Sequence, residues 1–335
     1  MNPYVHTAQG PLRVGDRVRV KSREAILATL DERGEIDGMP FMPEMLEFCG
    51  QGFAVSKRAD KTCDTVMSSG LRRMTNTVHL EDLRCDGSAH GGCQTNCLFF
   101  WREEWLVHDP AEDPASITET NDVPPPGAVT VDTLKRLTTV EGDGPGTATR
   151  YSCQATRVRA ASQPLSVFDL RQYVRDVSSG NAPARRVLPG LLISLFNKYQ
   201  DLSRRFLPER LRIRSGGRYP FIAGTLSKTP NHRTGLQPGD LVQIKSREEI
   251  VATLDKNNRN RGMSFDVEML KYCGRYARVQ SRVERIIDEK TGRMVELQNE
   301  CIILENVICD ADFHRFCPRG MYPFWREIWL RKVEE

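Results

Sequence analysis

One segment of this chain is written twice. Residues 15–31 read GDRVRVKSREAILATLD and return at 239–255 as GDLVQIKSREEIVATLD, an offset of 224. The same offset carries Gly38, Met39 and Phe41 onto Gly262, Met263 and Phe265, and Cys49-Gly50 onto Cys273-Gly274. It carries Cys85-Asp86 onto Cys309-Asp310, His90 onto His314, Cys93 onto Cys317, and Phe100-Trp101-Arg102-Glu103 onto Phe324-Trp325-Arg326-Glu327. No gap is needed over about ninety-five residues. Two copies this similar adopt one fold, whatever that fold is.

Each copy opens on a Gly-Asp turn and a short alternating strand (Val18, Val20; Val242, Ile244). Ser22 and Ser246 then stand as N-caps before SREAILATLD and SREEIVATLD, whose early glutamates favour helix initiation. Phe41, Met45, Phe48 and Cys49 follow at helical spacing, and Gly50 stops that second helix. Cys49 and Cys273 lie on this apolar stripe and read as small buried thiols. Further strands are expected at 53–58 and 77–83 in copy one and at 276–287 and 294–308 in copy two, with a last strand carrying the tryptophans. This order predicts an α+β protein built from two SH3-like β-barrel modules, each with a helical insertion, flanking a mainly helical middle region. The expected boundaries are 12–107 and 236–333 for the modules, 108–131 for a linker and 132–224 for the middle. Small barrels of this kind more often bind than catalyse.

The linker holds five acidic residues, no Lys or Arg, and five prolines, the composition of an extended spacer. In the middle region RYSCQATRVRAA reads as a strand, 166–177 as a helix ended by Ser-Gly-Asn, and 191–206 as a longer helix. Leu192, Leu195, Phe196, Tyr199, Leu202 and Phe206 give that helix one apolar face, read as a core or docking face. Six arginines between Arg204 and Arg218 form the strongest basic cluster, but without aromatic interleaving or a nucleic-acid motif they read as a solvated face.

Copy one concentrates metal-ligand chemistry. Cys85, His90, Cys93 and Cys97 fall within thirteen residues, and Gly87, Gly91 and Gly92 between them allow the tight turns of a metal knuckle. Cys63 lies upstream. Cys85, His90 and Cys93 with either Cys97 or Cys63 make a Cys₃His set; Cys63, Cys85, Cys93 and Cys97 make a Cys₄ set suited to zinc or an iron–sulfur cluster. The spacing C-x7-C-x3-C matches no common ferredoxin pattern. Copy two replaces Cys63 by Ile287 and Cys97 by Met321 and adds Cys301, so Cys301, Cys309, His314 and Cys317 form its weaker candidate set. A histidine present in both copies favours zinc, with an iron–sulfur cluster as the alternative. The plain rival is a group of buried thiols beside the tryptophans. A separate reading makes Cys63 a nucleophile, with Lys61 stabilising its thiolate and His79 as base. Cys153, in RYSCQAT, reads as a buried strand thiol that could approach the copy-one site.

The motifs KTCDTV, HLEDLRCDG, HGGC and RYSCQAT, with LRQYVRD and SGN, resemble an uncharacterised family of bacterial Cys/His-rich proteins. The resemblance spans most of the chain and implies no activity. No phosphate loop, dinucleotide fingerprint or zincin motif is present. A formal charge of +4 over 335 residues argues for neither nucleic acid nor a membrane surface as partner. With no secretory signal and no apolar run long enough for a membrane span, the expected location is the cytoplasm, where ten cysteines serve as free thiols or ligands rather than disulfides. The sequence therefore predicts a metal-binding protein acting as a binding or scaffold protein for a protein partner or small molecule. Two alternatives remain open: a metalloenzyme or iron–sulfur protein with its site in copy one, or a cysteine-nucleophile enzyme using Cys63.

Overall fold

The computed structural model describes residues 10–67, 70–108, 129–140 and 149–334. The expected linker falls almost wholly outside them. The architecture is mixed α/β, with small antiparallel sheets packed beside short helices.

Module one is a five-stranded sheet in the order Trp101–Arg102, Thr77–Leu80, Gly52–Arg58, Arg17–Val20, Leu106–His108. Module two repeats it as Ile302–Leu304, Tyr276–Arg282, Leu241–Ile244, Leu330–Lys332, and a single bridge from Ile302 to Trp325 stands where the fifth strand would pair. The repeat reaches the register. Arg17 pairs with Ala54 and Leu241 with Arg278, Val55 with Leu80 and Val279 with Leu304, and both long strands carry an irregularity at the same place, Val55/Lys57 and Val279/Ser281.

The expected SH3-like barrels are not formed, because neither sheet closes. In module one the edge strands Trp101–Arg102 and Leu106–His108 are separated only by the 3-10 turn Glu103–Trp105 and do not pair with each other. Closure needs strands long enough to tilt and stagger their hydrogen bonds around a ring, and edges of two and three residues lack that ladder. Two local expectations are also corrected. The second helix of each module is a 3-10 helix, Pro43–Phe48 and Val267–Tyr272, and RYSCQATRVRAA holds only the two-residue strand Arg150–Tyr151 before turning into the helix Gln154–Arg157.

Ser22 and Ser246 cap their helices as N-terminal acceptors, from Ala25 N–H at 3.2 Å and Glu249 N–H at 3.2 Å. Each module has its own core around an edge-on aromatic group: Phe41 to Trp105 at 5.1 Å, Phe265 to Trp329 at 5.4 Å. The middle region joins both. Its strand Gln163–Leu165 extends module one's hairpin Lys61–Cys63/Leu71–Arg73, Asp176 on the helix Arg171–Ser178 meets buried Lys61 at 2.5 Å, and Tyr173, Ala182 and Val187 enclose Phe316 of module two. The long helix Ala184–Phe206 leaves Leu192, Leu195, Tyr199, Leu202 and Phe206 exposed, while Phe196 packs on Phe221. Among the described residues no helix is long and apolar enough to cross a membrane.

The two modules meet face to face through reciprocal contacts. Cys63 N–H donates to Cys317 Sγ at 3.0 Å, and its repeat equivalent, Ile287 N–H, points to the equivalent of Cys317, Cys93 Sγ, at 3.4 Å. Each knuckle thus docks on the other module's hairpin, Arg285–Ile287/Met294–Glu296 in module two, an isologous interface built inside one chain.

Candidate metal centre

The knuckle of module one starts where Arg84 bridges Leu98, and Cys85 N–H donates to Cys97 O at 2.8 Å to close it. Inside, His90 N–H and Gly92 N–H both turn back onto Gly87 O, at 3.1 and 2.9 Å. Gly87 has φ +75°, and a Cβ there would lie 2.2 Å from Cys93 O, so the turn admits no side chain. Gly91, also at φ +75°, faces the Tyr151 ring, 2.5 Å from where its Cβ would be.

These turns aim Cys85, His90, Cys93 and Cys97 into a cavity of about 370 Å³. A fourth thiol reaches it from the middle region: Cys153, the residue before the helix Gln154–Arg157. The clamp is Gln154. Its Oε1 accepts from Phe100 N–H at 2.8 Å, and its Nε2 donates to Phe100 O at 2.8 Å and Pro40 O at 2.9 Å. This side chain satisfies three backbone groups of module one at once and so sets Cys153 beside the knuckle. Module two supplies the remaining wall, Ile286 to Lys290, held by Gln94, whose Oε1 accepts from Glu284 N–H at 2.6 Å and Arg285 N–H at 3.1 Å.

Burial raises the Cys85, Cys97 and Cys153 thiols, Cys97 to about 12 and Cys153 to about 11, and neighbouring thiols push each the same way: Cys97 and Cys153 act on Cys85, Cys153 and Cys93 on Cys97, and Cys93 on Cys153. Cys85, Cys97 and Cys153 therefore resist ionisation unless a cation joins them. Positive charge already stands nearby. Arg319 is buried, pairs with Glu289 at 2.9 Å, and opposes the rise at Cys97. Cys93 Sγ also lies 3.2 Å from Thr95 Oγ1, and Cys85 Sγ 3.4 Å from His90 Nε2.

Among the described residues one group alone brings three ligand atoms within 4.8 Å of one another: Glu44, Cys85 and His90. His90 Nδ1 lies 2.9 Å from Glu44 Oε1, while among the described residues Glu44 Oε2 has no hydrogen-bond partner. Glu44 Oε1 accepts from Ala89 N–H at 3.0 Å. Glu44 was not among the sequence candidates, although the repeat marks it: Glu268 is its counterpart and accepts from Phe313 N–H at 2.6 Å.

The other candidates go elsewhere. Cys63 does not line the cavity; it packs with Cys309, Cys317, Leu71, Leu165 and Ala311. Its proposed base, His79, is fully buried with Nδ1 2.8 Å from Phe99 O and its pKa lowered to about 4 by burial, and Lys61 is engaged by Asp176. Neither contacts Cys63, so the nucleophile arrangement is not assembled. The module-two set is not gathered either. Cys301 sits with Val283 and Ile303, and His314 Nε2 is 2.9 Å from Asp266 Oδ1.

Compared with family models, curated proteins and solved structures, the chain matches none.

Proposed function

We propose that this chain is an iron–sulfur protein whose cluster is held by Cys85, Cys93, Cys97 and Cys153. One observation carries the reading: four thiols line a single cavity of about 370 Å³, yet among the described residues no three of their sulfurs come within 4.8 Å of one another. A single tetrahedral ion with metal–sulfur bonds of about 2.3 Å would draw all four sulfurs to within about 4 Å. A polynuclear cluster interposes its own iron and sulfide and holds its thiolates further apart. When bound, such a group supplies one-electron redox chemistry. The chain's own part is electrostatic and steric. Ile287 N–H, the Thr95 hydroxyl and the His90 ring stand at the ligand sulfurs, Arg319 sets a buried positive charge nearby, and Ile286 to Lys290 of module two wall one side of the site. Hydrogen bonds to ligand sulfurs, nearby charge and burial are the means by which a protein tunes such a centre. A four-thiolate set leaves no coordination position for a substrate, so the centre joins two chain segments, the knuckle and the start of Gln154–Arg157, and exchanges electrons.

Anaerobic purification with iron and sulfide analysis tests this. About four of each per chain, a broad absorption near about 400 nm, and loss of both in Cys153→Ser are the expected results. A colourless protein with one zinc per chain would overturn it and favour a second reading that the Glu44–Cys85–His90 group supports: a single zinc ion with an open position for Lewis-acid chemistry. Glu44→Gln and His90→Ala separate the two, since they leave iron in place under the first reading and release zinc under the second.

A further inference from the structure

The reciprocal interface has two halves, and only one is the cavity just described. In the other, the hairpin of module one brings Cys63 against the module-two knuckle, and the position equivalent to the cavity is filled by Leu71, Leu165 and Ala311. Cys63 and Cys317 meet there, both as free thiols. The Cys63 backbone N–H donates to Cys317 Sγ at 3.0 Å, and the Cys63 thiol is itself hydrogen-bonded to the same sulfur. The counterpart of Cys63 at the cavity half is Ile287, so this is the half that can form a covalent bridge between modules.

We propose that Cys317 and Cys63 are a peroxide-reactive pair, Cys317 the thiolate that is oxidised and Cys63 the thiol that resolves it, joining module one to module two by a disulfide. The surroundings of Cys317 are those of an activated thiolate. Burial pushes its pKa up, but the hydrogen bond from the Cys63 thiol, the backbone N–H groups of Arg319 and Cys63, and the Arg319 guanidinium outweigh burial and hold it below the usual thiol value. Cys63 is shifted the other way, first by that same hydrogen bond and then by burial, so the proton stays on Cys63. A thiolate paired with a resolving thiol is the arrangement that peroxide oxidation requires. Cys317 is buried and Cys63 partly exposed, which restricts the oxidant to one little larger than water. Hydrogen peroxide is the smallest oxidant of that class.

The step balances. Cys317 S⁻ attacks one peroxide oxygen, the O–O bond breaks, Cys317–SOH forms, and the departing hydroxide takes a proton to leave as water. The Cys63 thiol gives up its proton, its sulfur attacks Cys317 sulfur, the S–OH bond breaks, and that hydroxide leaves with the Cys63 proton as the second water. The two sulfurs together lose two electrons and the peroxide oxygens gain them. Cys309, the third thiol of the cluster, has its pKa raised chiefly by burial and stays protonated.

The test uses the full chain as purified, with its metal, treated with hydrogen peroxide, alkylated under denaturing conditions and mapped without reduction. The expected result is one linked peptide pair, Cys63–Cys317, which closes a span of 254 residues and speeds migration of the unfolded chain in a non-reducing gel. In Cys63→Ser, Cys317 is expected to be trapped by dimedone as the sulfenic acid, with metal content unchanged. Recovery of both cysteines as free thiols after peroxide is consumed would overturn the proposal, as would a Cys309–Cys317 bridge or loss of metal in Cys63→Ser. The pair does not depend on the iron–sulfur reading: the linked peptide appearing in a protein without iron removes that reading and leaves this one standing.

Discussion

Module one and module two share strand register, strand irregularity, capping serines and an edge-on aromatic core, yet only one of their knuckles opens onto a cavity with four thiols. The difference lies in a few positions. Cys97 is Met321 in module two and Gly91-Gly92 is Arg315-Phe316, and among the described residues no counterpart of Cys153 approaches. Phe316 turns away into the pocket formed by Tyr173, Ala182 and Val187, and Arg315 reaches toward Gly70. A duplicated scaffold thus carries one knuckle as a binding site and the other as a packed joint. Where ligands converge the turns need glycine, whereas where side chains fill the space larger residues occupy the same left-handed positions, Arg315 at φ 54° and Phe316 at φ 58°.

The largest expected contrast is in metal content and stability. Cys85→Ser or Cys93→Ser is expected to release metal and destabilise module one by several kcal/mol, on the order of a lost ligand set. The matching Cys309→Ser should cost about 1 kcal/mol, a buried thiol exchange. Metal analysis and thermal unfolding of the variants check this, and equal metal loss from both modules would erase the contrast.

Next is the clamp that module two lacks. Gln154→Leu leaves Phe100 N–H, Phe100 O and Pro40 O without their side-chain partner, and with a penalty of roughly 1–3 kcal/mol per buried orphan, about 3 kcal/mol of stability should be lost. Iron should fall with it, because Cys153 is no longer held. Stable, iron-replete Gln154→Leu would show that the middle region is not what seats Cys153.

Buried His79 and half-exposed His314 should answer pH in opposite directions. His79 in module one has its folded pKa lowered to about 4 by burial, so its contribution is present above its unfolded value of about 6.5 and is lost as pH falls toward 4, up to roughly 3 kcal/mol. For His314 in module two burial opposes the charge, but Asp266 outweighs it and raises the pKa; its contribution is present below about 6.5 and is lost as pH rises through the raised value. Denaturant titrations from about pH 4 to about pH 9 on His79→Gln and His314→Gln check the signs. His79→Gln should flatten the acid loss, and His314→Gln should steepen it.

The smallest contrast is local. Gly91→Ala places a Cβ against the Tyr151 ring at a left-handed position and should cost about 1–2 kcal/mol, while Arg315→Gly relieves a non-glycine left-handed residue and should change stability by less than about 1 kcal/mol. Equal effects in thermal unfolding would mean that the knuckles impose the same demand.

Much of the site was readable in the sequence because it is local. The glycine-spaced knuckle and the repeat require only near neighbours, and turn chemistry acts over a few residues. Cys153 was readable only as a thiol that could approach the copy-one site, because what seats it is Gln154, whose partners Phe100 and Pro40 are 54 and 114 residues away. The contact of Cys63 with Cys317 was not legible, because the two are 254 residues apart. No periodicity encodes a contact of that separation.

What the sequence alone determined is the duplication, the knuckle with its glycines, and the helix caps, all set by backbone sterics and short-range hydrogen bonding. Only the tertiary structure decided that the sheets stay open, since closure depends on edge strands finding each other, and that each knuckle docks on the other module's hairpin, since that interface exists only once both copies have folded. It likewise assigned the thiols, four to the cavity and Cys63 with Cys317 across the joint, because the distance between sulfurs is a property of packing rather than of spacing along the chain.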